Sequence, residues 1–300
     1  MVTFSRLGIL DTSSPDADRV RLWEAFAQRL SEIGHVQGQN IGFEFRWGNG
    51  DPSSLDRLAQ ELAALRVHAI VTAGTPAAFA ARRASTRIPI VMATGVSVGT
   101  ALHQDADRGD SNITGLSDLA AGLSKKRLEL LCALAPQSRQ LAVLWDQSNP
   151  SGKLAIPEFQ DAAHSLGVSL AVFGVGALDG LDSALAAMAR DKIAGFAVVP
   201  SAMFFGDRKR LAELAIGHRL PAIFVRREYA QAGGLMAYGS PIRNNYLRAA
   251  DYVDQILKGA APANLPIEQP TGFELFINLR TAQQLDLTIP QALLLAAQAL

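Results

Sequence analysis

Ala69-Ile70-Val71-Thr72-Ala73-Gly74-Thr75-Pro76-Ala77-Ala78 changes character in its middle. Ala69 to Thr72 is short, apolar and partly β-branched, which suits a buried strand. Gly74 then ends the run, and Pro76 stands where a first-turn proline costs a helix no hydrogen bond. A strand that turns directly into a helix is half of a βα unit, the repeating piece of parallel sheets.

The same alternation extends outward. Upstream lie a strand at Leu7 to Leu10, a helix whose Leu22, Phe26, Leu30 and Ile33 share one face, a strand through Ile41, Phe43, Phe45 and Trp47, and a helix from Leu55 to Leu65. Downstream, Ile90 to Ala93 is a fourth strand. The pattern then restarts: strand Leu141–Trp145, helix Ala155–Leu166, strand Leu170–Gly174, helix Leu181–Arg190, strand Phe196–Val199, helix Lys209–His218, strand Ala222–Val225. The halves echo each other in order. Ile9-Leu10-Asp11 matches Leu144-Trp145-Asp146, Phe26 precedes Gly34 as Phe159 precedes Gly167, and Arg87-Ile88-Pro89-Ile90 matches Arg219-Leu220-Pro221-Ala222. Two similar Rossmann-like α/β lobes with parallel sheets follow.

A further strand (Leu235–Tyr238), a helix (Tyr246–Leu257) and an extended stretch (Pro262–Phe276) complete the chain. With Asn112-Ile113-Thr114-Gly115 they supply three candidate crossings between lobes. The expected division is residues 1–115 with 239–268 in one lobe and 116–238 with 269–300 in the other, joined by a hinge beside a ligand cleft.

Composition narrows the function. Of 300 residues, 49% are hydrophobic, enough for full cores, and Lys+Arg and Asp+Glu both total 28. A formal net charge of zero provides no general field for nucleic acid or an anionic membrane. One cysteine, Cys132, excludes an internal disulfide and is expected as buried packing. His35, His68, His103, His164 and His218 have neither H-x-x-x-H nor H-x-H spacing, so no metal site is expected. The first βα turn, Leu10-Asp11-Thr12-Ser13, lacks the glycines of a dinucleotide fingerprint, so no cofactor is expected. Gly95-Val96-Ser97-Val98-Gly99 fits G-x-S-x-G after a strand, but the polar Thr100–Asp110 is a poor helix for a nucleophile elbow; a serine hydrolase using Ser97 stays a minor alternative. The basic runs Lys125-Lys126-Arg127 and Arg208-Lys209-Arg210 are expected on solvated helix faces.

Ligands of open parallel sheets bind outside the carboxyl ends of the strands. There this sequence places Ser13, Ser14, Trp47, Thr75, Pro76, Ala77 and Thr94 in the first half, and Ser148, Asn149, Ser201, Arg226, Arg227, Glu228 and Tyr238 in the second. They are mainly hydroxyls, amides and aromatics. Thr75 with neighbouring helix N–H groups suits a carboxylate, although an ordinary helix cap would use the same residue.

Several stretches resemble the ABC transporter substrate-binding proteins of the tryptophan/tyrosine-uptake type. They are Gly34-His35-Val36-Gln37-Gly38-Gln39-Asn40-Ile41, Ala73 to Ala78, Asn112-Ile113-Thr114-Gly115-Leu116, Lys126-Arg127-Leu128-Glu129-Leu130-Leu131, Ala232-Gly233-Gly234-Leu235-Met236 through Gly239, and Ile256-Leu257-Lys258-Gly259 on to Ile277-Asn278-Leu279. The resemblance implies a type I periplasmic binding fold, export, an extracytoplasmic or periplasmic location and transient docking to a membrane permease. It also implies a small, carboxylate-bearing aromatic solute, an amino acid or an organic acid, with no catalysis and a monomer. No apolar leader precedes Arg6, so the export segment is expected outside this stretch. The resemblance carries the site to Thr75, Ser148-Asn149, Ser201 and Arg226 to Glu228. Amino-acid binders of this type often place an acid where Arg227 stands, which favours an organic acid unless Glu228 turns inward. A cytosolic effector-sensing module of the same fold is the other alternative.

Overall fold

The first strand is set by Leu7, Ile9 and Leu10, all fully buried, and its neighbours follow from the apolar runs on either side. The computed structural model describes residues 4–95, 111–117, 122–269 and 272–300. Two units emerge, Met1–Ala120 with Ile242–Pro270, and Ala121–Pro241 with Thr271–Leu300. The chain thus passes between them after 120, 241 and 270.

The first unit contains β1 (Ser5–Asp11), α1 (Ala17–Glu32), β2 (Ile41–Trp47), α2 (Leu55–Ala64), β3 (Ala69–Ala73), α3 (Thr75–Ala84), β4 (Ile90–Thr94) and β5 (Ile113–Leu116). The second contains α4 (Leu123–Leu134), β6 (Gln140–Asp146), α5 (Pro150–Leu166), β7 (Ser169–Val175), α6 (Leu181–Arg190), β8 (Phe196–Val198), α7 (Ala202–Gly206), α8 (Arg208–Gly217), β9 (Ala222–Phe224), α9 (Arg227–Gln231) and β10 (Met236–Gly239). The chain then returns to the first unit as α10 (Ile242–Leu257) and β11 (Ile267–Glu268). It ends in the second with β12 (Glu274–Ile277), α11 (Leu279–Gln284), α12 (Gln291–Ala296) and β13 (Ala297–Ala299).

The sheet orders are β2-β1-β3-β4-β5-β11 and β7-β6-β8-β9-β10-β12-β13. The first five strands therefore follow one scheme, 2-1-3-4-5, in both units. The sequence echoes occupy equivalent places in it. Ile70 N–H donates to the Pro89 carbonyl at 2.8 Å, and Phe196 N–H donates to the Pro221 carbonyl at 2.9 Å. Phe26 and Phe159 are both core residues. Gly34 N–H donates to Ser31 and Gly167 N–H to His164, each at 3.1 Å.

Three expectations are corrected. Asn112 to Gly115 is not a free crossing, because Ile113–Leu116 is buried as β5 between β4 and β11. The Thr114 hydroxyl ties it to the Leu265 carbonyl at 2.8 Å. The second sheet is not wholly parallel, since β12 runs antiparallel to β10. No helical crossover links those two strands directly; the intervening chain visits the first unit, which frees β12 from the parallel βαβ rule. Arg127 is buried rather than solvated, its Nε donating to the Tyr238 carbonyl at 3.1 Å. Cys132 is half-buried against the second unit's core, and that burial pushes its thiol above the ordinary range.

In the first unit α10 packs Tyr246, Ala249, Ala250 and Val253 into the core with Trp23 and Phe26. Polar contacts rim that packing: Arg29 Nε donates to Asp251 at 2.9 Å, and His35 meets Asp254 at 2.8 Å. Among the described residues no helix is long and apolar enough to cross a membrane.

Candidate functional site

In a 2-1-3-4-5 sheet the crevice lies where the winding reverses, between the first and third strands. In the first unit that point is flanked by the loops after β1 and β3. Asp11 fixes the first loop by accepting the Ser13 N–H at 2.8 Å, Arg19 Nε at 2.7 Å and Trp23 Nε1 at 2.8 Å. The Thr12 hydroxyl donates to the Ala73 carbonyl at 3.2 Å and joins the two loops. Ser13, Thr75 and Thr94 are buried there, whereas Ser14 is exposed and Pro76 half-buried.

Thr75 is not the helix cap. Gly74 occupies the N-cap with φ +96°, and Thr75 is the first residue of α3. The Gly74 N–H donates to both the carbonyl and the hydroxyl of Thr94, at 3.0 and 3.1 Å. The supply of free N–H groups expected beside Thr75 is smaller than the sequence suggested. Pro76 has none, and the N–H groups of Ala77 and Ala78 both donate to the Gly74 carbonyl, at 3.1 and 3.2 Å. Ala77 itself is core. Trp47 ends β2, half-buried and stacked on Phe45 with centroids 5.7 Å apart and planes 7° apart.

The second unit repeats this arrangement after β6 and β8. Asp146 Oδ1 accepts the Ser148 N–H at 2.9 Å and its hydroxyl at 2.6 Å. The Asn149 side-chain amide donates to the Pro200 carbonyl at 3.3 Å, joining the two loops as Thr12 does in the first unit. Ser201 caps α7, its hydroxyl accepting the Phe204 N–H at 3.1 Å. Tyr238, at the end of β10, lies 5.9 Å from the Phe273 ring.

Arg227 and Glu228 begin α9. Arg227 is exposed and its guanidinium lies 5.3 Å over the Phe276 ring, while Glu228 is half-buried. Arg227 was the arginine expected to decide the solute, yet it is its neighbour Arg226 that packs inward, 4.7 Å from the Phe205 centroid. The available signal was strand parity: Ala222, Phe224 and Arg226 alternate onto one face, and Phe224 belongs to the core that contains Phe205. Arg208 was expected on a solvated helix face, but it is only partly exposed and lies 4.6 Å from that same ring. Ser97 lies outside the described residues, as do Val96, Val98, Gly99 and His103.

A family model described as ABC transporter substrate binding protein matches residues 14–300. The chain belongs to that family. This ABC transporter substrate-binding protein is thus a member of a binding family, not of an enzyme family. It is 22% identical over 275 residues to the tyrosine-binding protein of Clostridioides difficile (strain R20291), a span of 91% of this chain and 78% of the relative. A conserved domain protein from Vibrio cholerae O1 biovar El Tor str. N16961 has a TM-score of 0.92 and 22% identity, with 99% of each chain covered. An ABC domain in complex with L-Trp from Streptococcus pneumoniae has a TM-score of 0.87, also at 22% identity and 99% coverage of each. These likenesses establish the type I periplasmic binding fold for this substrate-binding protein.

Proposed function

We propose that this substrate-binding protein takes up a small aromatic solute bearing a carboxylate, an amino acid or an organic acid, in a cleft between its two lobes. Closure about the three chain passages, extracytoplasmic location, action as a monomer and transfer of the solute to a membrane permease belong to the same reading. The observation that carries it is the paired switch point. Each unit brings hydroxyls to the carboxyl ends of its first and third strands, Ser13 and Thr75 in one, Ser148 and Ser201 in the other. The tyrosine named for one relative and the L-Trp in one similar structure agree with the solute class.

The test is thermal unfolding of the protein with aromatic amino acids and aromatic acids. A cognate solute at about one hundred times its dissociation constant stabilises by about 2.7 kcal/mol. If no aromatic carboxylate moves the transition, the proposal fails.

A further inference from the structure

The ring of Phe205 in α7 carries two cations, the guanidinium carbons of Arg208 and Arg226 lying 4.6 and 4.7 Å from its centroid. Arg208 is tied down, its Nη1 donating to the Phe205 carbonyl at 3.1 Å. Arg226 is not. Its Nη1 is sealed from solvent without a hydrogen-bond partner, and none of its other side-chain donors has a protein acceptor among the described residues. No carboxylate among the described residues pairs with it either. A guanidinium held against a ring with no acceptor is unfavourable until something supplies negative charge.

Its place in the fold is that of a ligand contact. Arg226 directly follows Val225 at the carboxyl end of β9, beside the loop after β8 that carries Ser201. The surroundings are rigid and aromatic. Tyr229 stacks on Phe224 with centroids 4.6 Å apart and meets Phe205 edge-on at 5.7 Å. Burial pushes the Tyr229 phenol well above its ordinary range; Arg226 and Arg208 pull it down, and Glu228 pushes it up. Among the described residues two guanidiniums thus lie against this aromatic floor, and that positive charge suits an anion better than a zwitterion.

We propose that Arg226 is the anion receptor of the second unit, and that it takes the carboxylate of an aromatic acid lacking an ammonium group. The planar fork of the guanidinium matches a carboxylate with two parallel hydrogen bonds. Phe205 holds that fork in one orientation, and Arg208 adds positive charge without competing for the same oxygens. This inference rests on the reading that the protein binds an aromatic carboxylate, and it names which kind and where.

The experiment is calorimetric titration of the full chain with matched pairs differing only in the ammonium: 3-phenylpropionate against L-phenylalanine, 3-(4-hydroxyphenyl)propionate against L-tyrosine, and 3-(indol-3-yl)propionate against L-tryptophan. In at least one pair the acid should bind about tenfold or more tightly than the amino acid, and Arg226→Gln should weaken that acid about 100-fold. Arg226→Lys should recover part of the loss, because it restores charge but not the fork. Without ligand, Arg226→Gln should melt close to the wild-type temperature, since it removes no hydrogen bond to the described residues and the lost contact with the Phe205 ring is offset by relief of an unpaired, partly buried charge. A clear fall in that ligand-free melting temperature would make Arg226 a structural strut and overturn the inference. So would tighter binding of the amino acid in every pair, or wild-type affinity in Arg226→Gln; in both cases the proposed aromatic-carboxylate function still stands. Failure of every probe to bind wild type would sink the two readings together.

Discussion

Arg19 grips Asp11 at two points, Nε to Oδ2 at 2.7 Å and Nη2 to Oδ1 at 3.0 Å, with both side chains buried. Trp23 Nε1 and the Ser13 N–H complete the set of donors on the carboxylate. The turn from β1 into α1 is thus built around one buried carboxylate and the buried arginine that neutralises it. Breaking such a pair from one side is costly because the remaining charge keeps its desolvation penalty. Asp11→Asn should lower the unfolding free energy by about 3–5 kcal/mol, seen as a fall in the urea midpoint with the slope unchanged. The double replacement Asp11→Leu with Arg19→Met should cost less than Asp11→Asn alone, because it leaves no orphaned charge.

Asp146 occupies the equivalent place in the second unit, but its recorded donors are the N–H and hydroxyl of the exposed Ser148. Both bonds are charge-assisted, but their donor is an exposed serine, and among the described residues no buried cation loses its partner when the carboxylate is removed. Asp146→Ala should therefore cost less than Asp11→Asn, about 1.5–3 kcal/mol. Faster amide hydrogen exchange at Gln147, Ser148 and Asn149 would locate the change in the loop; equal costs for the two aspartates would refute this difference.

The comparison of these aspartates shows what the sequence makes visible. The shared Ile/Leu-Leu/Trp-Asp pattern was legible because strand ends and turn acids are local features with short-range physics. Arg19 and Arg127 were not. An arginine in a helix looks solvent-facing, and only the position of β1 over one, and of the Tyr238 carbonyl over the other, makes each a buried donor. Thr75 was legible as a residue of the rim, whereas the diversion of the Ala77 and Ala78 N–H groups to Gly74 depends on a backbone angle that no composition reveals. Arg226 was separable from Arg227 by strand parity, but the lack of an acceptor for its Nη1 among the described residues is a tertiary fact.

Glu268 on β11 receives hydrogen bonds from Arg248 on α10, Nε at 3.0 Å and Nη2 at 2.6 Å. These bonds hold its carboxyl below the ordinary range, against the opposing effect of burial. A carboxyl whose folded-state pKa is lower than its unfolded one stabilises the fold above the unfolded value, and that stability is lost as pH falls through the folded value. Between neutral pH and the acid side of the carboxylate range, wild type should lose more stability than Glu268→Gln in urea titrations. High salt should narrow the gap, since both partners are partly exposed. An identical acid slope in the two proteins would remove Glu268 as a contributor.

Gly74 joins fold and candidate site at a single residue. Its φ of +96° and ψ of 141° lie where residues with a Cβ are strained, and an added Cβ would approach the Thr12 Oγ1 to 2.6 Å and Cγ2 to 2.8 Å. Gly74→Ala should therefore lower the unfolding free energy by about 2–3 kcal/mol through two separable effects. The Thr12→Ala change removes both of those crowding atoms but leaves the backbone angle untouched. The double variant should thus be less destabilised than the sum of the single ones, with the unrecovered part measuring the backbone strain. Strict additivity would show that Thr12 yields freely, and that the tie from its hydroxyl to the Ala73 carbonyl does not fix the loop after β1.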